Sequence, residues 1–190
     1  MKCQLTRDDI IHYFELLNEE LKKSGEFGEI IIAGGAALAL AYSARESTYD
    51  IDAIFEPKES FNRMIKKIAE DNDIADDWLN DGIKGFFTAE MKYNEILSFT
   101  NLRISSMDAE TMLALKLTSA RSLSKDMEDS IFLMKYLNIQ SEDKLFEIID
   151  KYIPKHRQTA QSYFFTKESY SQYCENEKIL ELEDEWDHEQ

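Results

Sequence analysis

Cysteine, histidine, proline and glycine are all scarce in this sequence, and each scarcity narrows what the protein can be. Cys3 and Cys174, the two cysteines among the 190 residues, stand near opposite ends and form no CxxC or other metal spacing. Such cysteine use favours a reducing, cytoplasmic setting. The three histidines, His12, His156 and His188, are scattered, so a histidine-based zinc site has little support. Six glycines and two prolines predict few long structureless loops.

Long apolar runs are missing as well. No stretch reaches the roughly eighteen apolar residues that a transmembrane helix needs, so no membrane partner is expected. Residues 1–9 carry charges but no apolar segment, which does not fit a secretory signal. The sequence therefore predicts a cytoplasmic protein.

Basic residues are few compared with acidic ones. The chain has 22 lysines and arginines against 38 aspartates and glutamates, a net charge of −16. This balance argues against non-specific binding of DNA, which needs a basic surface for phosphate contacts. Acidic residues are dense after residue 174, and such a tail is either a solvated end or a contact for a basic partner protein. The 43% hydrophobic content is enough to build a core and excludes a wholly disordered chain.

The first half of the chain has the pattern of a mixed α/β domain. Thr6 and Asp9 resemble a capping box, apolar residues then recur at helical spacing, and Gly25 is a typical stop signal. Short β-branched runs before Gly34 and around Asp50 indicate strands. The pattern predicts helices at 7–24, 36–42, 61–68 and 76–84, and strands at 29–33, 49–55, 95–100 and 102–105.

The second half has the pattern of a helical bundle. Asp108, Ser124 and Ser141 resemble N-caps of successive helices, and Pro154 separates these from one or two final helices. Predicted helices are 109–122, 124–137 and 141–152. The fold class is therefore α+β (α/β), with a small mixed sheet flanked by helices in a domain of residues 1–107 and a helical domain of residues 108–190.

Asp50 and Asp52 are the first candidates for chemistry. Because side chains alternate between faces along a strand, both carboxylates are expected on one side of the sheet and Ile51 in the core. Two carboxylates on one face repel each other unless a cation lies between them. Mg²⁺, or Mn²⁺ in its place, takes oxygen ligands and keeps positions for substrate phosphates. Alone, such a pair is a weak signal, because Asp-x-Asp is common in turns and on exposed strand faces.

Gly34 and Gly35 are the second candidates. Glycines at the end of a strand remove side chains where a triphosphate must approach the backbone, and the following helix offers unpaired N–H groups to phosphate oxygens. A glycine pair is also a common simple turn. The order strand, Gly-Gly, helix and then an acidic strand strengthens the joint reading as a nucleotide site.

Together these segments resemble the motif of the nucleotidyltransferase superfamily, in which two small residues precede Asp-hydrophobic-Asp-hydrophobic. Gly34, Gly35, Asp50 and Asp52 match it, and the chain looks most like the AbiEii-type minimal nucleotidyltransferases of bacterial toxin–antitoxin and phage-defence loci. The resemblance implies a nucleotidyltransferase fold. Arg45, Ser47 and Thr48 lead into the aspartates as they do in that group, which implies contacts with the nucleotide; Ser47 and Thr48 could also simply shape the loop.

Two later segments resemble further motifs of that group, a lysine-bearing helix at 113–121 and an aspartate-bearing helix at 125–129. The resemblance implies that Lys116 neutralises triphosphate charge and that Asp126 assists the acceptor or the metal. Lys116 could instead be an exposed lysine of an amphipathic helix. Asp126 and Asp129 share a helix face, and acids are favoured in a first helical turn in any case. Arg121 could contact phosphate or pair with Asp126.

One departure from the superfamily concerns a third carboxylate, which many active members place on a later strand. Glu95, at the start of a predicted strand, is the nearest candidate. Trp78, Phe86 and Phe87 are expected in the core rather than under a base, and Asn80 and Asp81 are expected to form a helix-end contact.

Three functions fit the sequence. The first is a metal-dependent enzyme that moves a nucleotide from a nucleoside triphosphate to a hydroxyl of RNA, such as tRNA, or of a partner toxin or antitoxin protein. The second is a catalytically weak antitoxin or binding module that keeps the fold. The third is an α/β domain in which the Asp-x-Asp pair is incidental.

Overall fold

The computed structural model describes residues 4–86, 91–119 and 123–188. The chain divides into two compact units, Met1–Asp108 and Ala109–Gln190. Phe87 and Arg121, named above, lie outside the described residues.

Helix α1, Arg7–Ser24, has the ends that its sequence predicts. The Thr6 side chain accepts a hydrogen bond from the Asp9 amide while the Asp9 carboxylate accepts one from the Thr6 amide, which completes the capping box. Gly25 closes the helix in the left-handed conformation, at φ 71°, where glycine has no steric penalty. Four apolar residues of α1, Ile10, Phe14, Leu17 and Leu21, are completely buried, and Tyr13 is nearly so.

The first unit is built on a five-stranded mixed sheet with the strand order β5-β4-β2-β7-β6. Its strands are β2 Gly28–Ile32, β4 Ile51–Glu56, β5 Leu79–Asn80, β6 Tyr93–Ser98 and β7 Leu102–Met107. Central strand β2 runs antiparallel to β4 and parallel to β7. The mixed α+β class predicted from the sequence is confirmed by this arrangement.

One face of the sheet forms the core of this unit. Ile30, Ile32, Ile51, Ala53 and Ile104 point to this face and are at most 1% exposed. Helix α3, Lys58–Asn72, packs on β4, and α1 packs on α3. Burying this apolar layer is the main stabilising term of the unit, at about 25 cal/mol per Å² removed from water.

A second, smaller ladder lies in the same unit. Strand β1, Leu5–Thr6, pairs antiparallel with β3, Ser47–Thr48. Helix α2, Gly34–Leu40, is seven residues long, and its last carbonyls, of Ala39 and Leu40, accept hydrogen bonds from the Arg7 guanidinium at 3.2 and 2.6 Å. A cation at a helix C-terminus is favourable, because the last carbonyls have no partner within the helix.

The second unit consists of helices. They are α4 Ala109–Ser119, α5 Leu123–Tyr136, α6 Glu142–Tyr152 and α7 Ala160–His188. Helix α4 packs against the other three and is buried on several sides, with Met112, Leu113 and Leu117 at most 1% exposed. Ser141 caps α6 as predicted, since its side chain accepts a hydrogen bond from the Lys144 amide. After residue 159 one long helix stands where one or two were predicted.

Some predictions about local structure are wrong. The segment 76–84 is not a helix, because residues 79–80 form β5 and a 3₁₀ turn follows at Lys84–Phe86. Pairing with β4 decides the conformation of this segment and is not visible in local sequence, whereas the burial of Trp78 agrees with its expected place in the core. Ser124 lies inside α5 rather than capping it. Within the described residues, no helix has the length and apolarity needed to cross a bilayer.

Candidate active site

The chain turns at Gly34 and Gly35, which we call the elbow, and Gly34 lies directly against Asp52. The Ala33 amide donates to the Asp52 carbonyl at 2.9 Å, which extends the β2–β4 pairing by one residue. Gly34 follows with φ 60°, a conformation that favours glycine. A Cβ added to Gly34 would lie 3.2 Å from Asp52 Oδ2. The missing side chain thus leaves the space above this carboxylate open, as a site for a ligand requires.

Asp50 and Asp52 flank a completely buried residue. Ile51 and Ala53 are 0% exposed, while both aspartates are partly exposed. Strand β4 begins at Ile51 and not at residue 49, so Asp50 stands one residue ahead of it. The alternation of burial nevertheless continues through Asp50, and this fits two acids on the side of the sheet away from the core.

Gly35 faces a different neighbour. A Cβ added there would lie 2.4 Å from Thr48 Oγ1 and 3.4 Å from Arg45 Nη1. Thr48 Oγ1 donates to the Asp50 carbonyl at 3.1 Å, and Ser47 Oγ donates to Gln4 Oε1 at 3.2 Å. Both hydroxyls therefore shape the segment that leads into Asp50 and strand β4. This is the loop-shaping alternative considered for them in the sequence. Their contact with phosphate stays a prediction.

Arg45 lies beside a cavity of about 370 Å³. The cavity is also lined by Arg7, Asp8 and Glu46. Its two guanidinium groups are matched by two carboxylates, so its wall is mixed in charge. A phosphate contact for Arg45 is compatible with its position near Gly35 and stays a prediction.

Strand β5 brings Asn80 to the site, a residue for which the sequence suggested a helix-end contact. Asp52 and Asn80 are paired residues of the parallel β4–β5 ladder. Asn80 Oδ1 accepts a hydrogen bond from the Gly82 amide at 2.9 Å. A Cβ added to Gly82 would lie 2.8 Å from Asn80 Oδ1 and 3.4 Å from Asp52 Oδ1. Gly34 and Gly82 thus flank the two oxygens of one carboxylate.

Asp81, the next residue, is held by a lysine. Lys58 Nζ lies 2.5 Å from Asp81 Oδ2. The hydrogen bond from Lys58, assisted by its charge, lowers the pKa of the Asp81 carboxyl below its ordinary value, and Asp81 in turn raises the pKa of Lys58. The pair places a partly exposed ammonium group beside the strand that carries Asn80.

Glu95, the candidate for a third carboxylate, lies elsewhere in the sheet. It is on β6, separated from β4 by β7 and β2. Its carboxylate forms an ion pair with Arg103 Nε at 3.1 Å, and Arg103 also contacts Glu29 at 3.0 Å. Among the described residues, no group of three or more acidic, histidine or cysteine side chains is arranged to hold a metal. Placing Glu95 beside Asp52 therefore has no support in the sheet order.

Lys116, Asp126 and Asp129 form an ion cluster within the helical unit. Lys116 Nζ lies 2.9 Å from Asp126 Oδ1 and 2.8 Å from Asp129 Oδ2. The three side chains are 15%, 13% and 4% exposed, so Lys116 is not the exposed lysine considered as an alternative. Asp129, for which the resemblance implied no role, is the more buried of the two acids. Its i, i+3 spacing from Asp126 was the available signal.

A comparison with protein families identifies the chain more closely than its local geometry does. One family model matches residues 9–178 and is described as a nucleotidyltransferase of unknown function, DUF6036. The chain belongs to this family. No curated protein and no solved structure gives a significant match. Membership in DUF6036 supports a general role in nucleotidyl transfer and agrees with the superfamily resemblance of the Gly-Gly and Asp-x-Asp segments.

The residues of this DUF6036 protein fit a divalent cation, which its superfamily implies. Two carboxylates and an amide oxygen are the hard oxygen donors that Mg²⁺ takes. Gly34 and Gly82 form a cradle that side chains would fill. Within the described part of the chain, no lysine or arginine forms an ion pair with Asp52. A partly buried carboxylate without a cation is costly, and a bound metal would offset that cost.

Proposed function

We propose that this protein is a metal-dependent nucleotidyltransferase that moves a nucleotide from a nucleoside triphosphate to a hydroxyl group. Asp50 and Asp52 would hold Mg²⁺, or Mn²⁺, together with the triphosphate. The observation that carries the proposal is the position of Gly34, whose missing side chain leaves Asp52 Oδ2 open beside the elbow. Membership in a family described as nucleotidyltransferases supports the same reaction.

The reaction follows from this arrangement. The oxygen of the acceptor hydroxyl forms a bond to the α-phosphorus, and the bond from that phosphorus to the bridging oxygen breaks. Pyrophosphate leaves with the bonding electrons, and the hydroxyl proton is released to solvent. When bound, the metal supplies charge neutralisation for the phosphates. The protein contributes position, because the acidic strand and the elbow fix the triphosphate where the attacking oxygen can reach it in line.

Roles for several other residues belong to the same proposal. Arg45, Ser47 and Thr48 are proposed to contact the nucleotide, since all three belong to the segment beside Gly35 and Asp50. Lys116 and Asp126 are proposed, from the resemblance, to act on the triphosphate and the acceptor. Their ion pair gives both of them a role within the helical unit as well.

The acceptor is proposed to be a hydroxyl of tRNA or of a partner protein in a toxin–antitoxin or phage-defence system. The AbiEii-type resemblance supports this setting. A net charge of −16 favours a protein acceptor over nucleic acid, since an acidic surface repels phosphates. A cytoplasmic location fits the same setting.

A second candidate function is a binding module that keeps the fold but transfers nucleotides weakly. One observation favours it, because the described residues hold no cluster of three acids for a metal. In that case the chain would serve as the antitoxin or interaction half of a two-component system.

An assay of label transfer distinguishes the enzyme from the binding module. The purified protein is incubated with each α-labelled nucleoside triphosphate, Mg²⁺, and either total tRNA or bacterial lysate protein. If the protein is an enzyme, label should appear on RNA or on protein. This labelling should be absent with the Asp50→Ala/Asp52→Ala variant. Glu70→Ala/Asp71→Ala is a matched control, because it removes two exposed acids of α3 from the same unit. Absence of transfer with every nucleotide, while the folded protein still binds a partner, would favour the binding module.

A further inference from the structure

We infer that the side-chain oxygen of Asn80 is the third protein ligand of the divalent cation held by Asp50 and Asp52. This inference rests on the proposed function and deepens it, since it names a residue that the superfamily motif in the sequence does not include. It also gives the site two charged ligands and one neutral ligand, rather than three carboxylates.

Strand pairing places Asn80 next to Asp52. The two residues are partners in the parallel β4–β5 ladder, and Ile51 and Leu79 are the preceding pair. Neighbouring residues of a ladder point to the same face of a sheet. Ile51 and Leu79 are buried in the core at 0% and 2% exposure. Asp52 and Asn80, one position further, therefore share the opposite face.

The space beside Gly82 is bordered by both oxygens. A single point, the position of a Cβ on Gly82, lies 2.8 Å from Asn80 Oδ1 and 3.4 Å from Asp52 Oδ1. Any side chain at residue 82 would enter the space between these oxygens and the loop. A cation bound by both needs that space, because Mg²⁺ lies about 2.1 Å from each oxygen ligand.

The orientation of the Asn80 amide is fixed by a hydrogen bond. The Gly82 N–H needs an acceptor, so the atom 2.9 Å from it is the oxygen and not the NH₂ group. An amide oxygen has two lone pairs, and this hydrogen bond uses one of them. The second is available to a cation, and the turn that Gly82 makes holds the oxygen in place for it.

Two other acids near or in this sheet, Asp81 and Glu95, are already paired. Asp81 is adjacent in sequence to Asn80, but its carboxylate is bound by Lys58 at 2.5 Å. Glu95 is bound by Arg103, three strands away. Asn80 is the remaining oxygen donor placed beside Asp52 by the ladder. With Asp50 and Asp52 it forms a donor set of charge −2, which matches the charge of one divalent cation.

The experiment measures Mn²⁺ binding by the full-length chain, without nucleotide, from the electron paramagnetic resonance signal of free Mn²⁺. Asn80→Ala is expected to weaken binding about tenfold, and Asn80→Asp to strengthen it about tenfold because it adds a charged ligand at the same position. Asn94→Asp is the control for added charge, since Asn94 is exposed on the opposite edge strand. It should stay within about twofold of wild type. Asp52→Asn should abolish binding.

The outcomes separate the inference from the function on which it rests. If Asp52→Asn abolishes binding while both Asn80 variants bind like wild type, Asn80 is not a ligand and the metal site stands. Tighter binding by Asn80→Asp with no loss in Asn80→Ala would also overturn the inference, since a nearby charge alone would explain it. Wild-type binding by Asp52→Asn would defeat the proposed function itself. If Asn80→Ala fails to fold, Asn80→Ser takes its place, because its shorter side chain keeps an acceptor for the Gly82 amide, and it should weaken binding by a similar factor.

Discussion

The two units of this protein differ in how they compensate carboxylates that are shielded, wholly or in part, from solvent. In the helical unit, Asp126 and Asp129 lie within 2.9 Å of the Lys116 ammonium group, which compensates much of their charge. In the sheet unit, Asp52 has no ion pair among the described residues and lies beneath two glycines. In the helical unit a lysine of the protein itself compensates the acids. In the sheet unit the space beside the carboxylate is open and could take a cation from solution.

This difference separates acids that stabilise the fold from acids that, on the proposed function, are kept for a ligand. A compensated cluster of partly buried charges is sensitive to the loss of any member. An uncompensated carboxylate costs stability in the free protein, so its removal should be tolerated by the fold. Three measurements test how the two units are stabilised.

The largest expected effect is that of Lys116→Met. It leaves Asp126 and Asp129 without their shared cation in a site that is at most 15% exposed, and it should lower the free energy of unfolding by about 3 kcal/mol or more. Asp52→Asn should change that free energy by less than about 0.5 kcal/mol. Both are measured by urea unfolding followed by circular dichroism.

The exposed residue Lys178 provides the control, because Lys178→Met removes the same charge from a surface position of α7. It should be nearly neutral. A stability loss by Asp52→Asn as large as that of Lys116→Met would erase the contrast between the two units.

A smaller effect is expected from Gly35→Ala. The added methyl group would lie 2.4 Å from Thr48 Oγ1, and overpacking of this kind costs about 1–3 kcal/mol. Gly85→Ala is the matched control, since nothing lies within 4 Å of a Cβ there. Thermal unfolding measures both.

A double variant tests whether the contact with Thr48 causes the stability loss in Gly35→Ala. Thr48→Ala removes the hydroxyl that the new methyl group meets, so Gly35→Ala/Thr48→Ala should lose less stability than the two single changes together. Strict additivity would mean that the clash with Thr48 is not what Gly35 avoids.

The smallest effect concerns pH and the helical unit. Hydrogen bonds from Lys151 and then Tyr152 lower the pKa of Glu110 below its ordinary value of 4.5. A lowered pKa in the folded state adds stability that is complete above 4.5 and is lost as pH falls through the folded value. Glu110→Gln should therefore cost less than about 1 kcal/mol at pH 7 and nothing at strongly acidic pH.

Unfolding of Glu110→Gln and wild type at a series of pH values measures this difference. Glu147→Gln, whose side chain is 68% exposed, is the control. A gap between Glu110→Gln and wild type that persists below the folded pKa would show that the charge of Glu110 is not the source of its contribution.

Local signals in the sequence predicted local structure well. Thr6, Asp9 and Gly25 marked both ends of α1, because caps depend on residues that are close in sequence. The glycine pair and the two aspartates were also visible as a motif. The short strand β5 was missed, since two residues carry no periodicity and only their pairing with β4 makes them a strand.

Contacts between distant segments could not be predicted in the same way. Asn80 lies beside Asp52 because β5 pairs in parallel with β4, and nothing in the segment 78–82 alone specifies its partner. Likewise, the separation of Glu95 from the acidic strand depends on the order of the strands in the sheet. The sequence offered one useful signal here, because the apolar pair Trp78-Leu79 stands directly ahead of Asn80. Both residues are buried in the structure.

The small β1–β3 ladder connects the beginning of the described chain to the segment that leads into strand β4. Leu5 and Thr6 pair with Thr48 and Ser47, just ahead of Asp50. The adjacent Arg7 holds the last carbonyls of α2, the helix that starts at the elbow. A tether or a partner that pulled on Leu5 would therefore act on both the elbow and the segment that leads into Asp50. On the proposed function, such a force would lower activity without occupying the site of the triphosphate.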